Sequence, residues 1–253
     1  MSDSAFMAFP TGMLIATLVS AVGIGGGILW MPVFLLFFHL PPETAVITSL
    51  LVQTAGMGSG SAAFIRKRVV DLRLAGCLLL LTLPGLGLGA LLTRQLTPAH
   101  LELVLGILTL TTAFLFVSTS QPYAETGTDR VSLHRLRRYG AIVSGLAVAS
   151  GMLSISMGEW LVPLMRSRLD LRMRAAVATS IVTIFGTCVA GSAIHLVLGA
   201  SADVSALIWA VPGVLIGGQI GPRVTERLNE RLLKDVFIFL LTLVGIHLIY
   251  NSY

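Results

Sequence analysis

Two short stretches of small and hydroxyl-bearing residues, set in otherwise apolar sequence, have the make-up of an anion site. The first is Val22-Gly23-Ile24-Gly25-Gly26-Gly27-Ile28-Leu29-Trp30-Met31-Pro32. Each glycine weakens a helix by roughly 1 kcal/mol, and Pro32 removes a donor and frees the carbonyl of Ile28. A helix broken in this way survives in a bilayer only inside protein or beside a wet cavity. The second stretch, Ser154-Ile155-Ser156-Met157-Gly158-Glu159-Trp160-Leu161-Val162-Pro163, is a partial copy. A half-helix that starts at such a break aims unpaired N–H groups at a negative charge. Gly25, Gly26, Gly27 and Gly158 allow the backbone to approach a ligand closely, and Ser154 and Ser156 add hydroxyl donors. Thr48, Ser49 and Gln53 lie on the segment after the first break, and Thr179 and Ser180 on the segment after the second; all are expected to line the same site. Against this stands a packing role, in which the glycines let helices touch and the hydroxyls bond back to their own helix. Glu159 is the only carboxylate well inside an apolar segment. Intramembrane acids are functional candidates by default, so Glu159 is the candidate for coupling to a proton, with a helix-capping role as the alternative.

The chemistry of other classes is thin. Cys77 and Cys188 sit in apolar segments, which argues against a disulfide framework or a metal site. No cofactor motif and no nucleotide-binding P-loop is present. Gly58-Ser59-Gly60-Ser61 with His195 loosely resembles a serine–histidine dyad, but Ser61 and Ser192 stand at equivalent places in the repeat below, which packing explains better. No catalytic residue is assigned, and His195 reads as a hydrogen-bonded packing residue.

These residues need elements that cross a membrane. The chain has 253 residues, 55% of them hydrophobic and 11% charged, with a mean hydropathy of +0.89. Soluble domains carry about 25% charged residues, so the composition is that of a polytopic helical membrane protein. The apolar segments fall at 6–38, 42–65, 72–93, 98–118, 139–165, 171–199, 203–222 and 232–250, with a polar linker at 119–138. No cleavable signal peptide is expected, because Asp3 stands where a basic n-region would be.

Sliding the second half over the first by 131 positions sets Gly27 on Gly158, Pro32 on Pro163, Thr48-Ser49 on Thr179-Ser180 and Gly60-Ser61-Ala62 on Gly191-Ser192-Ala193. After a three-residue deletion, Pro84-Gly85 meets Pro212-Gly213 and Gly89 meets Gly217. The chain is therefore expected to be duplicated, with residues 1–118 as one transmembrane repeat, 119–138 as a cytoplasmic linker and 139–253 as the second repeat. The charges suggest how the halves are related. Of the 17 Lys and Arg, all but Arg94 fall in four clusters around 66–73, 130–138, 166–174 and 223–234. If every segment crossed once, the two sides would carry nearly equal shares. If 139–165 dips in and returns, all four clusters become cytoplasmic, as the positive-inside rule requires. The expected fold is all-α with two inverted-topology repeats. Each is a broken or re-entrant segment followed by three transmembrane helices, with both termini outside. Kinked spanning helices at 6–38 and 139–165 are the alternative.

Gly23-Ile24-Gly25-Gly26-Gly27-Ile28-Leu29-Trp30-Met31-Pro32 with Ala45-Val46-Ile47-Thr48-Ser49-Leu50, and their repeats Gly158-Glu159-Trp160-Leu161-Val162-Pro163 and Ala175-Ala176-Val177-Ala178-Thr179-Ser180, resemble the sulfite exporter TauE/SafE family along nearly the whole chain. The resemblance implies a secondary transporter, an exporter of small sulfur-containing anions such as sulfite or organosulfonates across the bacterial cytoplasmic membrane. The second motif departs from the glycine-rich form at Ser154, Ser156 and Glu159. The partners expected are the anion, a coupling proton or other ion, the lipid bilayer and a second copy of the chain, with no nucleic acid. A membrane scaffold or insertion factor is the alternative function, and an intramembrane serine hydrolase a more distant one.

Overall fold

The computed structural model describes residues 5–93, 95, 97–118, 127–131, 136, 138–154, 156–224, 238–239, 242–243, 245–247 and 249–250. Most of the linker and most of the segment expected at 232–250 lie outside these. Among the described residues the fold is helical. The first segment is α1 (Ala8–Val22), a break, and α2 (Gly27–Pro32), which continues through a π turn to Phe37. Then come α3 (Pro42–Arg66), α4 (Leu72–Thr93) and α5 (Pro98–Ser118). The second series is α6 (Gly140–Leu153), a break, α7 (Gly158–Ser167), α8 (Met173–Val197) and α9 (Val204–Val224). Leu72–Thr93, Met173–Val197 and Val204–Gly221 are each long and apolar enough to cross a membrane. Helix α3 is as long as α8 but carries Thr48, Ser49, Gln53 and Ser61, all buried in the bundle.

The helix ends have local causes. Asp71 accepts the N–H of Leu74 (3.1 Å) and caps α4; Asp203 accepts the N–H of Ala206 (2.7 Å) and caps α9. Pro42 opens α3, where its missing N–H costs nothing. Left-handed residues close the helices. Gly23 (φ 80°) ends α1, and Ser154 (φ 57°), 131 positions on, ends α6. His39 (φ 51°) and Asp170 (φ 56°) follow the second half-helices, and Arg68 (φ 56°) and Gly199 (φ 89°) follow α3 and α8. Each pair is again 131 residues apart, so the backbone stops its helices at the same places in both halves.

Packing directions follow from the side-chain contacts. Gly213 lies against Phe9, Gly217 against Met13 and Gly221 against Ser20, so α1 and α9 run side by side in one direction. Helix α3 joins them, with Thr48 near Asp203, Gly56 on Val214 and Gly60 near Gly218. The second set is built in the same way. Gly85 meets Ser144 and Gly89 meets Val148, so α4 and α6 are parallel, and α8 lies along α4 through Thr179 near Asp71 and Gly186 on Leu79. In both sets an added Cβ at the two glycines of the Pro-Gly-xxx-Gly motif would land on a carbonyl of the neighbouring helix, so only glycine permits this spacing. The sets meet through α3 and α8. There Leu50 touches Gly191, Gly58 touches Phe185 and Ser61 donates to the Ile181 carbonyl (3.4 Å), an antiparallel contact. At each break the chain turns back. Helix α1 runs along α3, but Gly27 lies beside Gln53 in the middle of α3 and α2 leads to the start of α3.

Basic residues among those described gather at one end. Arg66, Lys67 and Arg223 line one pocket with Ala63 and Gln219. Asp71, next to Arg73, accepts the N–H of Val131 (3.2 Å), and Asp170 accepts the N–H of Thr128 (2.8 Å). That brings the turn after α3, linker residues 127–131 and the turn before α8 together. Arg172 pairs there with Asp129 at 3.3 Å, both well exposed.

Candidate functional site

The two breaks meet each other in the middle of the molecule. The Gly23 N–H bonds to the Val19 carbonyl (2.9 Å) and closes α1; the Gly26 carbonyl then accepts from Leu29 (3.0 Å) and Trp30 (2.8 Å) and opens α2. In the second half, α6 stops at Ser154, and the Met157 carbonyl accepts from Trp160 (3.1 Å) and Leu161 (2.8 Å) to open α7. Between them there is no room for side chains. An added Cβ at Gly25 would overlap the side chain of Ser156, and one at Gly27 would land on the Ser154 carbonyl. At Gly158 it would sit 2.7 Å from the Gly23 carbonyl.

Hydroxyls and one amide tie the breaks to α3 and α8. Ser180 donates to the Gly23 carbonyl (2.9 Å). Ser154 donates to Ser49 Oγ (3.1 Å), the counterpart of Ser180. Gln53 Nε2 lies 2.8 Å from Ser154 Oγ, 3.1 Å from Ser49 Oγ, 3.2 Å from the Ser154 carbonyl and 3.3 Å from the Ser49 carbonyl. Ser154 thus holds a left-handed conformation that a non-glycine residue resists, and its side chain joins the two halves. Gln53, Ser49, Ser154, Ser156 and Ser180 are all buried. So are Gly25, Gly26, Gly27 and Ile28, and among the described residues no group accepts from the N–H groups of these four. Buried backbone donors nearly always find a partner; a run of them without one, at the start of a helical segment, is chemically complementary to an anion.

Of the residues selected from the sequence, the structure brings Gly25, Gly26, Gly27, Ser49, Gln53, Ser154, Ser156, Gly158 and Ser180 to this junction. Thr48 and Thr179 have other partners. Thr48 donates to the Thr44 carbonyl (2.6 Å) and accepts the Asp203 N–H (3.0 Å), while Thr179 accepts the Asp71 N–H (3.1 Å). Each therefore fastens α3 or α8 to the capping residue of a neighbouring helix. Glu159 is the second residue of α7, and its side chain lies outside what the structure describes.

Sequence reasoning missed the bracing of the second break. His195 Nε2 lies 2.8 Å from the Gly151 carbonyl, which can only accept, so that nitrogen carries the proton. Thr93 donates to the Met152 carbonyl (2.8 Å). The signal was available in two polar side chains placed late in apolar segments. Ser61 and His195 do not meet. Ser61 bonds near Ile181, about 20 Å along α8 from His195 at 1.5 Å per residue.

The sulfite exporter TauE/SafE family model matches residues 8–248. The chain is 27% identical to the probable membrane transporter protein YunE of Bacillus subtilis, over 95% of this chain and 96% of that protein. It is 25% identical to a probable membrane transporter protein of Haemophilus influenzae, over 94% of this chain and 92% of that protein. Against the probable membrane transporter protein YfcA of Escherichia coli K12 it is 25% identical, over 95% and 88% respectively. No solved structure matches the chain. The match runs through both breaks and the helices that hold them, and the chain is a multi-pass membrane transporter belonging to the sulfite exporter TauE/SafE family.

Proposed function

We propose that this transporter is a secondary exporter of small sulfur-containing anions, such as sulfite or organosulfonates, and that it holds the anion where the two breaks meet. The observation that carries the reading is the buried run of unaccepted N–H groups from Gly25 to Ile28, facing Ser154, Ser156 and Gly158 of the other half. Backbone donors and hydroxyls there would receive oxyanion oxygens without a fixed positive charge, which suits binding that must also release.

The halves act as inverted repeats. The parallel set of α1, α3 and α9 and the parallel set of α4, α6 and α8 meet antiparallel at α3 and α8, which supports this relation. So do the three left-handed pairs at a constant offset. With the arginine-rich end in the cytoplasm, 6–38 is a re-entrant hairpin from outside and 139–165 one from inside. Arg66, Lys67 and Arg223 raise the anion concentration at the cytoplasmic mouth. Rocking of one repeat against the other parts Gly25 from Ser156 and opens the junction to each side in turn. Gly25, Gly26, Gly27, Ser49, Gln53, Ser154, Ser156, Gly158 and Ser180 contact the solute; Thr48 and Thr179 hold the helices that carry them. Glu159 couples a proton to the movement, and the functional unit is a homo-oligomer.

The test is anion efflux from proteoliposomes loaded with sulfite, thiosulfate, sulfate or a sulfonate, with and without a proton gradient. Efflux of at least one sulfur oxyanion, accelerated by the gradient, is the expected result. Indifference to all of them would remove the substrate class, and gradient-independent efflux would remove the role of Glu159. Crosslinking in the native membrane that yields only single chains would remove the oligomer.

A further inference from the structure

The amide of Gln53 is buried, 2% exposed, and its polarity is fixed by its neighbours. One end of it lies 3.2 and 3.3 Å from the carbonyl oxygens of Ser154 and Ser49. Carbonyls only accept, so that end is the NH2 group; the flipped amide would set three oxygens against one another. The carbonyl end, Oε1, therefore faces the other way, toward Gly25, where an added Cβ would sit 3.4 Å from it. Among the described residues no group donates to Oε1. Its counterpart in the second half is Ile184, which packs on Gly158, so the duplication did not require an amide here. Hydroxyls and backbone N–H groups surround the junction, yet a buried side-chain acceptor of fixed direction stands among them with no donor among the described residues.

A site made for a bare oxyanion would present donors alone, because an acceptor repels the anion's oxygens and loses its own hydrogen bond when buried. We propose that the solute is an anion carrying its own hydrogen-bond donor, a hydroxyl, amino group or acidic proton one or two bonds from the charged group, and that Gln53 Oε1 receives it. This rests on the reading of the junction as the anion site and narrows the substrate class. Gln53 is then a specificity-determining residue. It discriminates in the manner of sites built to hydrogen-bond a substrate hydroxyl, which reject the analogue lacking it far more strongly than apolar pockets reject a size change.

The experiment uses the full chain in proteoliposomes and pairs of anions matched in charge and carbon skeleton. The pairs are ethanesulfonate against 2-hydroxyethanesulfonate, methanesulfonate against hydroxymethanesulfonate, and acetate against glycolate. The donor-bearing member of at least one pair is expected to have the higher kcat/KM, by about tenfold or more. In Gln53→Met, which keeps the length and removes both polar atoms, that ratio falls close to one while the donor-free member is still carried. Equal transport of both members of every carried pair overturns this inference and leaves the transporter reading standing. A ratio that survives in Gln53→Met overturns the assignment to Gln53. No transport of any pair overturns this inference, and efflux of sulfite or thiosulfate in the same vesicles then shows that the anion site stands without it. If Gln53→Met does not elute as a folded protein, the wild-type ratio decides alone.

Discussion

The two breaks share a backbone plan and differ in how they are held. Both stop a helix with a left-handed residue and start the next one four residues later. The first is made of glycine, and Ser156 on Gly25 and Ser180 on the Gly23 carbonyl approach it from the opposite half, with Gln53 beside it from its own. The second brings its own hydroxyl at Ser154, and its last helical carbonyls are secured from outside by His195 on Gly151 and Thr93 on Met152. The residues that stand at the equivalent places around the first break are Phe64 and Gly221, which offer no side-chain donor. One break is thus smooth and admits close approach, and the other is polar and pinned. The lesson is that symmetry of the backbone fixes where the breaks lie, while the asymmetry of side chains decides how each is held.

The largest test of that difference lies in the glycines. Gly27→Ala and Gly25→Ala put a methyl group onto the other break, one on the Ser154 carbonyl and one on the Ser156 side chain. Backbone cannot yield as a flexible side chain can, so Gly27→Ala is expected to abolish efflux and to lower stability by about 2 kcal/mol or more, within the range for overpacking a core. Gly26→Ala is the internal control. Its methyl group would meet Trp30 Cδ1 at 3.1 Å, a contact a small ring shift relieves. Thermal unfolding in detergent together with efflux reads both. Equal damage at Gly26 and Gly27 would mean that helix propensity, and not contact between the breaks, governs this stretch.

The second test removes the pins. His195→Phe gives the second half the residue of the first and leaves the buried Gly151 carbonyl without its donor; Thr93→Ala does the same to Met152. Each is expected to destabilise by about 1–3 kcal/mol. Hydrogen exchange at 150–153 should rise while exchange at 19–22 stays unchanged. Exchange that rises equally at both breaks would erase the contrast between the polar break and the glycine break.

Much of this arrangement was legible in the chain. The helix boundaries and the breaks follow from glycine, proline and hydropathy, since these act locally and leave a periodic mark. Gln53 and the serines stood out because polar groups in apolar segments must find partners. Where the partners lie was not legible. Thr48 and Ser49 are adjacent and equally polar, yet one clasps the Asp203 N–H and the other faces Ser154. A turn of 100° per residue separates those surroundings, and only the packing of α9 and α6 against α3 decides which hydroxyl meets which. Asp71 and Asp203 were visible as residues ahead of apolar runs, but their backbone bonds to Thr179 and Thr48 join elements more than a hundred residues apart.

The smallest effect expected concerns the ends of the molecule. The pocket of Ala63, Arg66, Lys67, Gln219 and Arg223 has Ile194, Val197, Leu198, Leu91 and Gln95 at the corresponding positions of the opposite halves, none of them charged. The contrast between the breaks is therefore matched by a contrast between the faces. Arg66→Gln and Arg223→Gln leave the junction untouched, and exposed charges interact through water and salt. Each is expected to raise the apparent KM for a cytoplasmic anion about two- to threefold at low ionic strength, with kcat unchanged and the difference gone at high salt. A change in kcat that persists in salt would tie these arginines to the moving parts, and the distinction between a steering face and a binding centre would fall.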